Sequence, residues 1–144
     1  MGMYCSIKAV DANASGSRGS SLSLEKAWHG LHYLLTGSAA EGGLPLGFLL
    51  EGGEEVGDDD GYGPPRIFSP EEVEQIDTAL AAVSDDALWS RFDPDEMSSE
   101  GVYPECWDED EDELREEYLS YFHEMKKVVK NARTSGKSLL VSLT

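Results

Sequence analysis

The chain has 144 residues, 40% of them hydrophobic, with 29 acidic against 11 basic side chains and a formal net charge of −18. That length sustains one core and therefore one domain over residues 1–144, and so acidic a surface excludes a protein built to neutralise phosphates, so no nucleic-acid partner is expected. No apolar run of about 18 residues is present to span a membrane, and the basic flank and apolar stretch of an export signal are missing, so the expected setting is cytoplasmic with no membrane association.

The first predicted element is a strand. Met3, Cys5, Ile7 and Ala9 alternate with Tyr4, Ser6 and Lys8, as in a half-buried strand. Cys5 is expected to pack as a small hydrophobe. Met1-Gly2-Met3-Tyr4-Cys5-Ser6 matches a myristoylation pattern in form, but a strand packed from its start does not present an acylated glycine. A polar stretch rich in Gly, Ser and Asn follows and predicts a flexible loop over 11–23. Ser21 or Ser23 then caps a helix running to about Leu35, with Leu24, Trp28, Leu31 and Leu35 on one face and Gly37 as its stop. In that helix Glu25, His29 and His32 line the flank beside the apolar stripe, where it meets solvent.

Residues 41–65 are glycine-rich and acidic, and predict short extended pieces with a flexible loop over 51–63. Asp58-Asp59-Asp60-Gly61 is not an EF-hand loop: started at Asp58, it puts Tyr62 at the fifth position and Ser69 where the bidentate acid belongs. Three helix starts come next. Ser69-Pro70-Glu71-Glu72 combines a capping serine, an early proline and a glutamate for a capping box, with Phe68 and Val73 as staple. Ser84 caps a second helix carrying Trp89, and Asp93-Pro94 starts a short third ended by Gly101.

The last helix spans about Asp110 to Arg133 and buries Leu114, Tyr118, Tyr121, Met125, Val128 and Ala132, with Phe122 and Val129 widening the stripe. The six acids of 108–113 read as a solvated helix start. All 29 acids lie at or before Glu124, while Lys126, Lys127, Lys130, Arg133 and Lys137 follow it, the order that complements a helix dipole. Ser138-Leu139-Leu140-Val141-Ser142-Leu143 is too apolar for a free tail and predicts a buried strand beside the first one. The fold class is α+β: a small sheet including the N- and C-terminal strands, packed against about four to five helices.

Met1-Gly2-Met3, Trp28-His29-Gly30-Leu31-His32-Tyr33-Leu34-Leu35-Thr36-Gly37, Gly61-Tyr62-Gly63-Pro64 before a capped helix, Val102-Tyr103-Pro104 with Trp107, and a closing helix–strand pair occur in that order. Over nearly the whole chain this resembles the YfbM-like bacterial family, whose function is unknown. The resemblance implies a small α+β cytoplasmic protein and brings no activity, cofactor or catalytic residue. Between Val10 and Leu24 the chain is shorter than that family's pattern, which places additional helix there.

Two kinds of function fit the residues. The first is an acidic module that binds a protein partner, in particular a basic one, with Tyr62, Tyr103 and Trp107 as exposed aromatic anchors. The alternative is a metal-assisted or acid/base hydrolase on the Glu25, His29 and His32 flank, with His123 as a further ligand from the last helix. The bland reading of those histidines is partial burial with a bond to a backbone carbonyl. Glu25, His29, His32, Tyr103 and Trp107 are therefore the candidate site residues. No cofactor or resident metal is implied. Glu41-Gly42-Gly43 and Glu51-Gly52-Gly53 lack the lysine of a phosphate-binding loop. Cys5 and Cys106 form no disulfide framework, and acids beside Cys106 disfavour its thiolate.

Overall fold

Alternation of small apolar with polar residues makes the first strand, as predicted: in β1 (Cys5–Val10) the side chains of Cys5, Ile7 and Ala9 are buried and Ser6 is exposed. The computed structural model describes residues 4–10, 21–39, 43–57, 63–103 and 107–143. The expected loops at 11–23 and 51–63, the exposed Tyr62 and the thiol of Cys106 fall wholly or partly outside these residues.

Where a helix was predicted from Ser21 or Ser23, the chain instead forms strand β2 (Ser21–Glu25), antiparallel to β1, and helix α1 covers only Trp28–Thr36. The reason lies in the period. Ser21-Leu22-Ser23-Leu24 alternates polar and apolar residues, which suits a strand, and the 3.6-residue pattern begins only at Trp28. Leu24 still reaches the core, from the strand side rather than from a helix turn. Glu25, at φ 48°, is the one described non-glycine residue in left-handed backbone and turns the chain out of the sheet. Its amide is held by Ser23 Oγ at 3.2 Å.

Strand β3 (Glu54–Glu55) lies inside the segment expected as a flexible loop over 51–63, β4 (Arg66–Phe68) follows directly after Pro65, and residues 44–50 form turns rather than extended pieces. Arg66 holds the preceding turn, donating to the carbonyls of Gly52 at 3.0 Å and Leu49 at 2.5 Å. Helices α2 (Pro70–Ala81), α3 (Asp85–Trp89), α4 (Pro94–Ser99) and α5 (Glu111–Thr134) follow. Each starts at the residue its local chemistry names. Ser69 and Glu72 close the capping box reciprocally, at 3.2 and 3.0 Å, while Ser84, Asp93 and Asp110 each accept from the third helical amide.

Strand β5 (Ser138–Leu143) pairs antiparallel with β1 from Cys5↔Leu143 to Val10↔Ser138 and with β4 on its other side. The sheet order is β2-β1-β5-β4-β3. Helix α5 packs against β1, β2 and β5, with α2 alongside it. Its stripe of Leu114, Tyr118, Phe122, Met125, Val128, Val129 and Ala132 is buried as the spacing requires, whereas Tyr121 is only half-buried and faces the edge of the packed layer. The fold is thus α+β, with five strands and five helices among the described residues. None of those helices is long and apolar enough to cross a membrane.

Candidate functional site

Helix α1 has no side-chain cap at its start, because Ala27 occupies that position. Neighbours hold it instead. Gly37, in left-handed backbone, donates to Tyr33 O at 2.6 Å as the expected stop, and Arg91 reaches across to the Leu35 carbonyl at 3.2 Å. Gly30 is needed for close approach: a Cβ there would lie 2.6 Å from Trp107 Cη2 and 2.7 Å from Tyr118 Cε2. Those rings sit 5.5 Å apart, and Trp107 Nε1–H donates to Val102 O at 2.8 Å. Trp107 is 2% exposed, which corrects the expectation of an exposed anchor: its indole is a lid over the only α1 position without a side chain.

The imidazole of His29 is fully engaged by backbone. A carbonyl only accepts, so the 2.6 Å contact with Ala39 O assigns the proton to Nε2, and Nδ1 accepts from the Tyr103 amide at 2.9 Å. The ring also stacks on Trp28, 5.1 Å between centroids at 17°, and Trp28 in turn lies 6.0 Å from Tyr103. His29 and Tyr103 therefore do come together, as a joint between α1 and two loops. In this state neither ring nitrogen has a lone pair or proton to spare for a metal or a substrate.

The predicted flank of Glu25, His29 and His32 does not exist. Glu25 closes β2 and is not helical, and His32 is fully buried rather than at a solvent boundary. A nine-residue helix with seven buried residues is enclosed on almost every side and has no half-wet flank. His123 lies elsewhere again, with Nε2 2.9 Å from both carboxylate oxygens of Asp85 on an exposed surface. Among the described residues no group of three His, Cys, Asp or Glu side chains could hold a metal ion.

A different place collects uncompensated charge. Where β2 hands over to α1, Glu25, Lys26 and Ala27 face Tyr4 before β1 and Glu109, Glu117, Tyr118 and Tyr121 at the start of α5. Together they line an open cleft of about 540 Å³. Tyr121 Oη points to Glu25 Oε2 at 3.5 Å, and Lys26 Nζ lies 5.9 Å from the centre of the Tyr4 ring. Burial, the charges of Glu25 and Glu117 and the bond to Glu25 all hold the Tyr121 phenol above its ordinary value. Burial is the largest of these causes, and the two carboxylates add to it at the same aromatic group. Of the candidate residues only Glu25 belongs to this cleft. Glu109 was absorbed in the solvated acidic run and Glu117 carried no sequence signal, since neither shows its convergence with residue 25 until the chain is folded.

The remaining unusual groups are structural. Cys5 is a buried free thiol, pushed up to about 12 by burial despite the opposing Arg66 charge. At the basic end of α5, Lys126 donates to Val83 O and lies 4.6 Å from the Phe122 ring centre, Lys127 pairs with Glu124, and Arg133 pairs with Asp77 at 2.8 Å. Lys126 and Arg133 pin α5 to α2 and its following turn, whereas the Lys127–Glu124 pair lies within α5.

The sequence profile of a family described as "Domain of unknown function (DUF1877)" matches residues 7–142. No curated protein matches the chain. Among solved structures, one described as "The Crystal Structure of a Protein of Unknown Function YfbM from Escherichia coli" superposes with a TM-score of 0.71. It covers 98% of this chain and 99% of that one at 20% identity, a likeness in fold.

Proposed function

The chain belongs to the DUF1877 family of unknown function, and within it we propose an acidic, one-domain protein-binding module that receives a lysine or arginine of a basic protein partner in the cleft between the β2–α1 corner and α5. One observation carries the reading: three carboxylates and three phenols line one concave site with Lys26 as its one lysine or arginine. A cationic side chain is the complementary guest. Carboxylates give it charge-assisted hydrogen bonds, and a phenol ring gives an ammonium or guanidinium an attractive face, as Lys26 over Tyr4 illustrates. Net charge of −18 adds long-range steering of a basic partner. The buried free thiol of Cys5 suits a reducing compartment, so we read the protein as cytoplasmic.

Isothermal titration with a short arginine-rich peptide tests this. Saturable one-to-one binding is expected, weakening as salt rises and falling roughly tenfold when Glu25→Gln is combined with Glu117→Gln. No binding, or binding untouched by the double variant, would show that the cleft is not the site.

A further inference from the structure

Resting on that reading of the cleft, we propose that the basic partner docks by strand addition: an extended segment pairs its backbone with the outer edge of β2 and places a lysine or arginine into the Glu25–Glu109–Glu117 cleft at the strand's end. The sheet order leaves β2 and β3 at its two edges. Strand β3 has two residues, and extreme shortness is one of the ways an edge is kept from pairing. Strand β2 has five, Ser21-Leu22-Ser23-Leu24-Glu25, with neither lysine nor proline and with its one charge, Glu25, at the end that enters the cleft. Among the described residues β1 is its one strand partner.

The edge leads directly into the cleft. Regular pairing with β1 covers Lys8↔Ser21, Ile7↔Leu22 and Ser6↔Ser23, and the register breaks before Cys5↔Glu25. The Glu25 amide is already bonded to Ser23 Oγ, so the ladder open to a guest is the Ser21–Ser23 stretch. Beyond it Glu25 turns out of the sheet and contributes to the cleft wall. At about 3.3 Å per residue, a guest strand running along Ser21–Ser23 arrives at the cleft with its next one or two side chains. Main-chain bonds give such a complex affinity without sequence preference, and the pocket at the end supplies the preference.

Charge complementarity selects the occupant. Any extended segment gains the same backbone bonds, but an acidic one brings its next side chain against three carboxylates and an apolar one leaves them without a counter-charge. A basic segment satisfies both halves of the surface.

The probes are two peptides of equal length and charge, each alternating valine with threonine before two arginines, one of them N-methylated at alternate backbone nitrogens. Affinity and amide hydrogen exchange at Ser21–Ser23 are read together. The unmodified peptide is expected to slow exchange there and to bind at least about tenfold tighter than its methylated twin. Equal affinity with unchanged exchange overturns strand addition and leaves the cleft as a cation site. Binding of neither peptide overturns the cleft reading itself. Exchange at β2 that is already slow in the free protein overturns the inference by showing an edge covered by its own chain. Protection that appears with rising protein concentration alone does so by assigning the edge to a second copy.

Discussion

Two regions meet within a few residues of each other at the start of α1, and they use reactive side chains in opposite ways. Around Trp28, His29 and Gly30 the polar groups serve the fold: the His29 imidazole bonds two backbone groups, the Trp107 indole bonds a carbonyl, and Gly30 leaves the space a ring occupies. Three residues upstream of Gly30's stack, from Glu25 to Ala27, the chain borders an open cleft whose carboxylates outnumber its cations. Histidines and a tryptophan look like chemistry in a sequence, yet here they are fastenings. The site we propose lies where charge is left over, not where reactive residue types are dense.

Changes that break the sealed side should be large and confined to stability. Gly30→Ala forces Trp107 and Tyr118 apart and should destabilise by about 2–3 kcal/mol in denaturant unfolding. A loss within about 0.5 kcal/mol would mean that the joint has slack. The interior should also respond to alkali. Cys5 is raised by burial from an ordinary 9.0 to about 12, so the folded state keeps its proton where the unfolded chain loses it. Stability is therefore whole below about pH 9 and falls as pH rises toward 12. Cys5→Ala should flatten that fall relative to the parent, and an unchanged slope would remove Cys5 as its source. Tyr33 and Tyr121, also raised chiefly by burial, add to the alkaline loss in the same sense.

His29→Ala should cost roughly 2 kcal/mol, because it leaves the Ala39 carbonyl and the Tyr103 amide without their ring partners. Peptide affinity at the cleft should not change, and added zinc should not raise the melting temperature of the parent protein. A zinc-dependent rise lost in His29→Ala would reopen the hydrolase reading. The smallest effect belongs to the open side. Glu25→Gln with Glu117→Gln should leave stability within about 0.5 kcal/mol while lowering the Tyr121 phenol toward its ordinary value, because its two negative neighbours lose their charge. Ultraviolet or NMR titration of Tyr121 checks the direction.

The sequence spoke clearly wherever structure is decided locally. Ser69, Ser84 and Asp93 cap the helices they were expected to cap, and Asp110, expected only as the approximate start of the last helix, caps it as well, because a capping side chain needs only the next three amides. The alternation in Cys5–Ala9 and the apolar run at 138–143 were sufficient to pair the terminal strands. Residues 21–25 were misread because Leu24 fits the helical stripe of Trp28, Leu31 and Leu35 by spacing, while the alternation that makes β2 spans only four residues and depends on β1 as partner. The cleft was less legible still. It joins residues 4, 25–27, 109 and 117–121, and no local pattern announces that a strand end and a helix start will share a wall. Glu25 was expected on a helix flank it does not occupy, and its place in the cleft wall comes with the turn at φ 48°.

Chemical-shift mapping with a small guanidinium ligand separates a built site from general surface acidity most directly. A built site gives perturbations concentrated on Tyr4, Tyr118, Tyr121 and the amides of Glu25–Ala27, saturating together with one dissociation constant and lost when Glu25→Gln is combined with Glu117→Gln. Perturbations spread evenly over the acidic surface, or centred on His29 and Tyr103, would contradict it.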